Sequence, residues 1–231
     1  MRCLVFACCV IATPAWAQTP RADLTALKAR ILVLAEKAAA KGPDAPDLRK
    51  QAEALVKQLV AADPQPPVAQ RMGQIYGNWC TVLPPDDKPG NMRKTARIDE
   101  RRALQVVSAK GYFYNLIPMT DTTHPDRSKL GLLRAAYRPV AGDPNGLSVD
   151  YQHIVACQAC LADRNPYRFA GQAESQTLPD SENILPDFLL GLVIKDGVID
   201  EVYSDGDIRI GYGVANRQTG HRALYVLKRA D

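Results

Sequence analysis

The chain has 231 residues, a formal net charge of +4 and an apolar fraction of 46%. This length and apolar fraction predict a globular protein with one domain, or one domain with an extension. The positive charge is weak and dispersed, and its largest concentrations are pairs such as Arg101 and Arg102. The composition therefore argues against a nucleic-acid-binding protein, because such proteins carry extended basic patches.

Residues 1–17 have the pattern of a cleaved signal peptide. Arg2 supplies a positive charge, an apolar run extends from residue 3 to residue 13, and a small-x-small cleavage pattern ends at Ala17. The apolar run is shorter than the roughly 20 residues that span a bilayer, and the alternative is an uncleaved anchor. We therefore predict cleavage after Ala17 and an exported, periplasmic protein.

Two amphipathic helices are predicted to follow, within an N-terminal extension over residues 18–67. The apolar face of the first helix consists of Leu24, Leu27, Ile31 and Leu34. The apolar face of the second helix consists of Leu48, Ala52, Leu55 and Leu59. Gly42 and Pro43 separate the helices, and a proline-rich linker ends the extension at residues 63–67. We expect a helical hairpin that docks on another surface or stays partly mobile.

The remaining residues, 68–231, are predicted to form a β-barrel. A short helical turn leads to residue 77, and short β-prone runs separated by turn signals follow it. The candidate strands are 79–83, 95–108, 112–117, 130–140, 147–156, 167–173, 188–195, 198–203, 207–212 and 223–228. Strands at this spacing, without βαβ alternation, indicate a sandwich or a closed barrel. The fold class is therefore mainly β with N-terminal helices (α+β), an antiparallel barrel preceded by a helical hairpin.

Both ends of this region resemble one known family. Gly77-Asn78-Trp79 is a Gly-x-Trp motif, which opens the first strand of lipocalin-like barrels, where the Trp plugs the closed end. The C-terminal segments 202–213 and 223–229 resemble the closing hairpin of the plastid lipid-associated (fibrillin) family. There an aromatic residue leads into an acidic turn, an Asp-x-Arg-Ile strand, a Gly-rich turn and a last apolar strand that ends in basic residues.

The N-terminal half is similar to the same family, so the resemblance spans about residues 24–229. It implies a lipocalin-like barrel that binds lipids or isoprenoids, with structural, barrel-closing roles for Gly77, Trp79, Asp207 and Arg209. In such barrels an Arg from a late strand packs across the Trp through a cation–π contact. The chain departs from the family in its export signal, since the family is best known from plastids and photosynthetic bacteria. It also departs in Cys80, which follows the Trp where the family has apolar or aromatic residues.

A barrel of about eight strands leaves room inside for side chains or for one small ligand. Burial of each ligand methylene contributes about 0.8 kcal/mol. The candidate inward-facing lining residues are Tyr112, Tyr114, Leu116, Leu132, Tyr151, Leu190 and Leu192. The alternative is that these residues fill a solid core, which would favour a structural or partner-binding barrel.

Three cysteines remain in the mature chain: Cys80, Cys157 and Cys160. In an oxidising compartment a disulfide is favoured, in which Cys157 or Cys160 reaches Cys80 across the barrel and leaves one thiol over. A metal site formed by the three cysteines and His153 is a second interpretation. A thioredoxin-type redox site in the Cys-x-x-Cys motif is a third, although no redox signature surrounds this motif.

Other chemical motifs are scarce. The three histidines, His124, His153 and His221, are far apart, and the sequence has no Gly-x-Ser-x-Gly, phosphate loop or His-Glu-x-x-His. Asp200, Asp205 and Asp207 lie close together, but their spacing does not match a calcium-binding loop. We therefore expect no enzyme, no metal and no cofactor. The expected partner is an apolar small molecule, with a membrane surface as a further contact and no nucleic acid.

Overall fold

The computed structural model describes residues 21–40, 44–85, 96–98, 103–121, 129–157, 182–183, 197–216 and 221–230. Several predicted features lie outside these residues, and statements about them stay predictions. They are the signal peptide at 1–17, the candidate strands at 167–173 and 188–195, His124, and the candidate site residues Cys160, Leu190 and Leu192.

The N-terminal part is helical. Its elements are α1 (Arg21–Ala39), α2 (Ala45–Ala62), a 3₁₀ turn (Val68–Gln70) and α3 (Met72–Ile75). Pro46 lies in the first turn of α2, where its missing N–H is not needed for the helix. The N–H of Asp63 donates to the carbonyl of Leu59 and ends α2 before the prolines. Within the described part of the chain, no helix is both long and apolar enough to cross a membrane.

Eight strands close into an antiparallel β-barrel, which confirms the predicted mainly-β barrel with N-terminal helices. The strands of the chain are β1 (Gly77–Leu83), β2 (Ala96–Ile98), β3 (Leu104–Ser108), β4 (Tyr112–Asp121), β5 (Lys129–Pro139), β6 (Gly146–Cys157), β7 (Glu182–Asn183), β8 (Gly197–Ser204), β9 (Ile208–Asn216) and β10 (His221–Arg229). Around the barrel their order is β4-β3-β1-β10-β9-β8-β6-β5, and β5 pairs back with β4. Strand β2 pairs with β4 and strand β7 with β6, outside this ring.

The register defines two different ends of the barrel. The start of β1, the tight turns β3–β4, β5–β6 and β8–β9, and the last residues of β10 share one end, which we call the closed end. The 3₁₀ turn and α3 cover it. The N–H of Val68 donates to the carbonyl of Pro144 at 2.6 Å, and Nε1 of Trp79 donates to the carbonyl of Ile75 at 2.8 Å. The other ends of these strands define the opposite, far end.

One cluster of buried residues joins strands from all sides and therefore marks the barrel interior. It consists of Val68, Ile75, Trp79, Val107, Phe113, Ala135, Leu147, Val149, Tyr225 and Leu227. On β10, Tyr225 and Leu227 point into this interior, whereas Leu224 and Val226 point outward. Strand β10 is thus buried on both faces, which explains its continuous apolar sequence.

Helices α1 and α2 cover the outer face of the wall formed by β1, β8, β9 and β10. Their buried residues pack against an outward-facing set that consists of Leu83, Tyr203, Ile208, Ile210, Leu224 and Val226. Four of the buried helix residues are alanines, which bring the helices close to the sheet: Ala35, Ala38, Ala39 and Ala52. Arg49 of α2 donates to the carbonyls of Leu224 and Pro84 at 2.8 and 3.0 Å and fixes the helix to this wall.

Asp205 connects the β8–β9 turn to α1. Its carboxylate forms an ion pair with Lys28 and accepts from the N–H groups of Asp207 and Ile208 at 2.8 and 3.0 Å. Burial alone would raise the pKa of Asp205, but Lys28 and the two N–H groups stabilise the carboxylate, so the pKa lies below its ordinary value. The folded state therefore gains stability from this group above the ordinary carboxyl pKa and loses it as pH falls through the lowered pKa.

We expect Asp205→Asn to lower the free energy of unfolding by about 1–2 kcal/mol at neutral pH, because the amide cannot replace a charge-assisted acceptor. The difference from wild type should shrink as the pH falls below the ordinary carboxyl pKa and through the lowered pKa of Asp205. Chemical denaturation at neutral pH and at acid pH measures it. Asp207→Asn, an exposed carboxylate in the same turn, is the control and should change stability little. A penalty that is equal at both pH values would contradict the role of the charge.

Candidate functional site: the interior of the barrel

Trp79 and two arginines form the floor of the barrel at its closed end. The guanidinium carbons of Arg229 and Arg209 lie 4.1 and 5.2 Å from the centre of the Trp79 ring. Gly77 has φ +118, and a Cβ there would overlap Nη1 of Arg229, whose Cζ would be only 3.3 Å away. The Gly-x-Trp motif therefore needs its glycine both for backbone conformation and for the close approach of Arg229.

Of the four residues assigned barrel-closing roles, the structure brings three together: Gly77, Trp79 and Arg209. Asp207 lies in the exposed β8–β9 turn and contributes through its backbone, because its carbonyl accepts from the N–H of Arg229 at 2.9 Å. The closer arginine, Arg229, was not among the residues identified from sequence. The only sequence feature that pointed to Arg229 was its position among the basic residues that end the last apolar strand.

A buried ion pair crosses the floor between β8 and β9. Arg209 donates from Nε and Nη2 to the two carboxylate oxygens of Glu201 at 3.0 and 2.8 Å. Tyr225 donates its hydroxyl proton to Oε2 of Glu201 at 2.7 Å. Glu201 is 0% exposed and Arg209 3% exposed. This bidentate, fully hydrogen-bonded geometry is what a charge pair needs in order to be stable away from water.

The buried charges shift the ionisation of their neighbours. Burial raises the pKa of Tyr225 well above its ordinary value, and the adjacent Glu201 carboxylate raises it further. Burial alone would lower the pKa of Arg209, but Glu201 outweighs it and the net pKa is raised. Tyr225 and Arg209 therefore hold their protons more strongly than the free side chains do.

Arg71 adds a further buried cation at the closed end. It donates to the carbonyl of Pro66 at 3.0 Å, to the hydroxyl of Ser204 and to the backbone carbonyl of Glu201. These acceptors carry no charge. Burial lowers the pKa of Arg71, and the nearby Glu201 carboxylate opposes the shift. With Arg71, Arg209 and Arg229 against Glu201, the described part of the floor carries three guanidinium groups and one carboxylate.

Toward the far end, the inner wall becomes apolar and more open. Side chains alternate between the faces of a strand, so Ile117 and Leu133 share the inner face with Phe113 and Ala135. Ile117 and Leu133 are only partly buried, and they belong to none of the three buried apolar clusters formed by the described residues. We call the space that they face the lumen.

The wall opposite these residues carries small inward residues. Gly213 of β9 pairs with Ala223 of β10, in register with the inward-facing Leu227 and Tyr225. A Cβ added at Gly213 would meet only the Cβ of Pro85, at 4.0 Å. Among the described residues, the inward side chains are therefore large at the closed end and smaller on this wall beyond it.

Four of the candidate lining residues lie on the outer face of the barrel instead of the expected inner face. Tyr112, Tyr114, Leu116 and Leu132 alternate with the inward residues of β4 and β5 and belong to a separate outer cluster with Leu104. Tyr151 does face inward, where its ring contacts Phe113 edge-on at 6.4 Å. The sequence prediction chose the opposite face of β4 because both faces of this strand are apolar, and such a pattern does not specify the register.

Two of the three candidate bridge cysteines, Cys80 and Cys157, lie among the described residues, and their strands do not bring them together. The third, Cys160, lies outside those residues, so its pairing stays a prediction. Cys80 lies on the exposed, outer face of β1, next to the inward Trp79. Cys157 ends β6, which is four strands from β1 in either direction around the barrel. An outward-facing Cys80 on the opposite side cannot approach Cys157 to the Cα distance of about 4–7 Å that a disulfide requires. Among the described residues, no three His, Cys, Asp or Glu side chains are grouped as metal ligands would be.

No family model, no curated protein and no solved structure matches this chain. The resemblance to the fibrillin family therefore stays a prediction from the sequence.

Proposed function

We propose that this protein is an exported, non-enzymatic binder of an apolar small molecule of the lipid or isoprenoid type, held in the lumen of a lipocalin-like barrel. One observation carries the proposal. The inward-facing apolar side chains Ile117 and Leu133 keep accessible surface, whereas Tyr114 and Leu116, which face outward on β4, are buried at 0% and 2% exposure. A barrel that served only as a solid scaffold would bury its inward residues first.

Physical chemistry supports a ligand in this position. When a ligand covers apolar surface of the lumen, the binding free energy improves by about 25 cal/mol for each Å² removed from water. Pockets for small ligands are commonly found in the mouths of β-barrels. The closed end, with Trp79 and its arginines, forms a floor that limits how deeply the ligand can enter.

The helices have a supporting role in this proposal. A helical hairpin of α1 and α2 braces the outer wall through the contacts of Leu83, Leu224 and Arg49. It thereby holds β9 and β10, the strands that carry the small residues Gly213 and Ala223, in place. The fibrillin resemblance agrees with this arrangement and with an apolar ligand.

The proposal is tested by native mass spectrometry of the protein purified from its exported compartment, with organic extraction of any bound molecule. The apo protein is then titrated with palmitate and with farnesol. We expect a bound apolar molecule, or uptake of at least one probe at a ratio of one to one. Absence of both would contradict the proposed function.

We expect Leu133→Trp to weaken binding of these probes by about tenfold or more, because the larger ring occupies the lumen. Ala136→Trp is the matched control, since Ala136 lies three residues further along β5, on the outer face, and is also only partly buried. Thermal melting of both variants checks that the barrel is intact. Equal binding by the two variants would place the ligand outside the lumen.

A further inference from the structure

A directional chain of hydrogen bonds leads from the floor into the lumen. Arg209 donates from Nη1 to Oε1 of Gln105 at 2.8 Å, and Gln105 donates from Nε2 to Oδ1 of Asn115 at 3.0 Å. Gln105 pairs with both Trp79 and Asn115 across β1, β3 and β4, so all three lie at the same level of the barrel. Ile117 lies two residues beyond Asn115 toward the far end.

The direction of this chain is fixed by chemistry. A guanidinium has only donors, so Gln105 must turn its oxygen toward Arg209 and its amino group toward Asn115. Asn115 must then accept with its oxygen. Its amino group carries two N–H donors and points away from this contact. No other described residue accepts a hydrogen bond from this amino group. The partly buried Asn115 thus presents N–H groups at the base of the lumen.

The charge of the floor has the same sign as this donor array. Arg71, Arg209 and Arg229 outnumber Glu201 among the described groups, and Glu201 is already engaged by Arg209 and Tyr225. Such an excess of positive charge favours an anion. A ligand with a hydrogen-bond donor at this end, such as an amine, would meet the amino group of Asn115 and the excess of positive charge, so an acceptor is favoured instead.

We infer that the ligand is an apolar chain that ends in a carboxylate, with the carboxylate accepting from the amino group of Asn115 above Arg209. This inference rests on the proposed function and deepens it, because it assigns the orientation of the ligand and the chemistry of its polar end. Asn115 is a binding residue, and Gln105 and Arg209 are positioning residues that hold its amide in one orientation.

The test compares two probes of equal chain length, palmitate and 1-hexadecanol, by native mass spectrometry and calorimetry. Wild type should bind palmitate at least about tenfold more tightly, since a hydrogen bond to a charged group contributes about 1.5–3 kcal/mol. Asn115→Asp should remove this preference, because a second carboxylate replaces the donor, and binding of 1-hexadecanol should change less than about threefold. Asn78→Asp makes the same change on the outer face of β1 and should leave both affinities unchanged.

Asn115→Leu is the second variant, in case a carboxylate at this position impairs folding. It too should lose the preference for palmitate while it keeps binding of 1-hexadecanol. Equal affinities of wild type for the two probes, or a preference for palmitate that survives in both Asn115 variants, would overturn the inference and leave the proposed function standing. Binding of neither probe, together with an apo protein from the exported compartment, would overturn the proposed function itself.

Discussion

Glu201→Leu is expected to lower the free energy of unfolding by about 3–5 kcal/mol, because it leaves the charge of Arg209 buried without a counterion. It also removes the acceptor of the Tyr225 hydroxyl, which lies 2.7 Å from Oε2. Chemical denaturation followed by tryptophan fluorescence measures the change. The chain has two tryptophans, Trp16 and Trp79, and Trp16 falls in the predicted signal peptide. In a protein that begins after Ala17, the signal therefore comes from the barrel floor alone.

The matched control is the neighbouring ion pair between Asp200 and Arg222. The Arg222 side chain is 60% exposed, so Arg222→Gln should cost less than about 1 kcal/mol. A double variant, Glu201→Leu with Arg209→Met, should recover part of the loss, since an apolar pair of similar volume has no charge to desolvate. If Glu201→Leu cost no more than Arg222→Gln, the buried pair would be irrelevant to stability.

The barrel was predictable because its signals are local. Turns rich in Gly, Pro and Asp separate the β-prone runs, and Gly77-x-Trp79 marks the first strand with a backbone requirement that only glycine meets. The helical pattern of α1 and α2 was similarly clear, since their apolar residues recur at helical spacing. What these patterns could not supply was the surface on which the helices dock, because the outer wall is formed by strands distant in sequence.

The interior site was less predictable, for reasons that concern strand faces. On β4, Tyr112, Tyr114 and Leu116 on one face are as apolar as Phe113 and Ile117 on the other, so alternation alone does not identify the inner face.

A β-bulge hides the buried ion pair from any periodic pattern. The register of β8 with β9 shifts between Glu201 and Tyr203, so these two residues face opposite sides although they are two positions apart. Regular alternation would place them on the same face. Glu201 therefore looks like an exposed charge in the sequence, and only the bulge turns it inward to Arg209.

Gly211→Ala is expected to lower the free energy of unfolding by about 2–4 kcal/mol, although it adds one methyl group to a strand. The new Cβ would lie 2.5 Å from Cζ of Tyr225 and 2.6 Å from the backbone carbonyl of Asp200. The carbonyl belongs to the β8–β9 ladder and cannot withdraw without loss of pairing. The Tyr225 ring must therefore tilt, and its hydroxyl then leaves the buried Glu201 with one hydrogen bond fewer.

Gly213→Ala is the matched control for this prediction, because it makes the same change on the same face of β9, where only Pro85 lies within 4.0 Å. It should change stability by less than about 1 kcal/mol, with a small gain if the backbone tolerates alanine. Tyr225→Phe supplies the second comparison, since it removes the hydroxyl that the new methyl group would meet first. In that background Gly211→Ala should cost measurably less than in wild type. An equal cost in both backgrounds would show that the Tyr225 hydroxyl has no part in the penalty, which would then come from the ring and the Asp200 carbonyl.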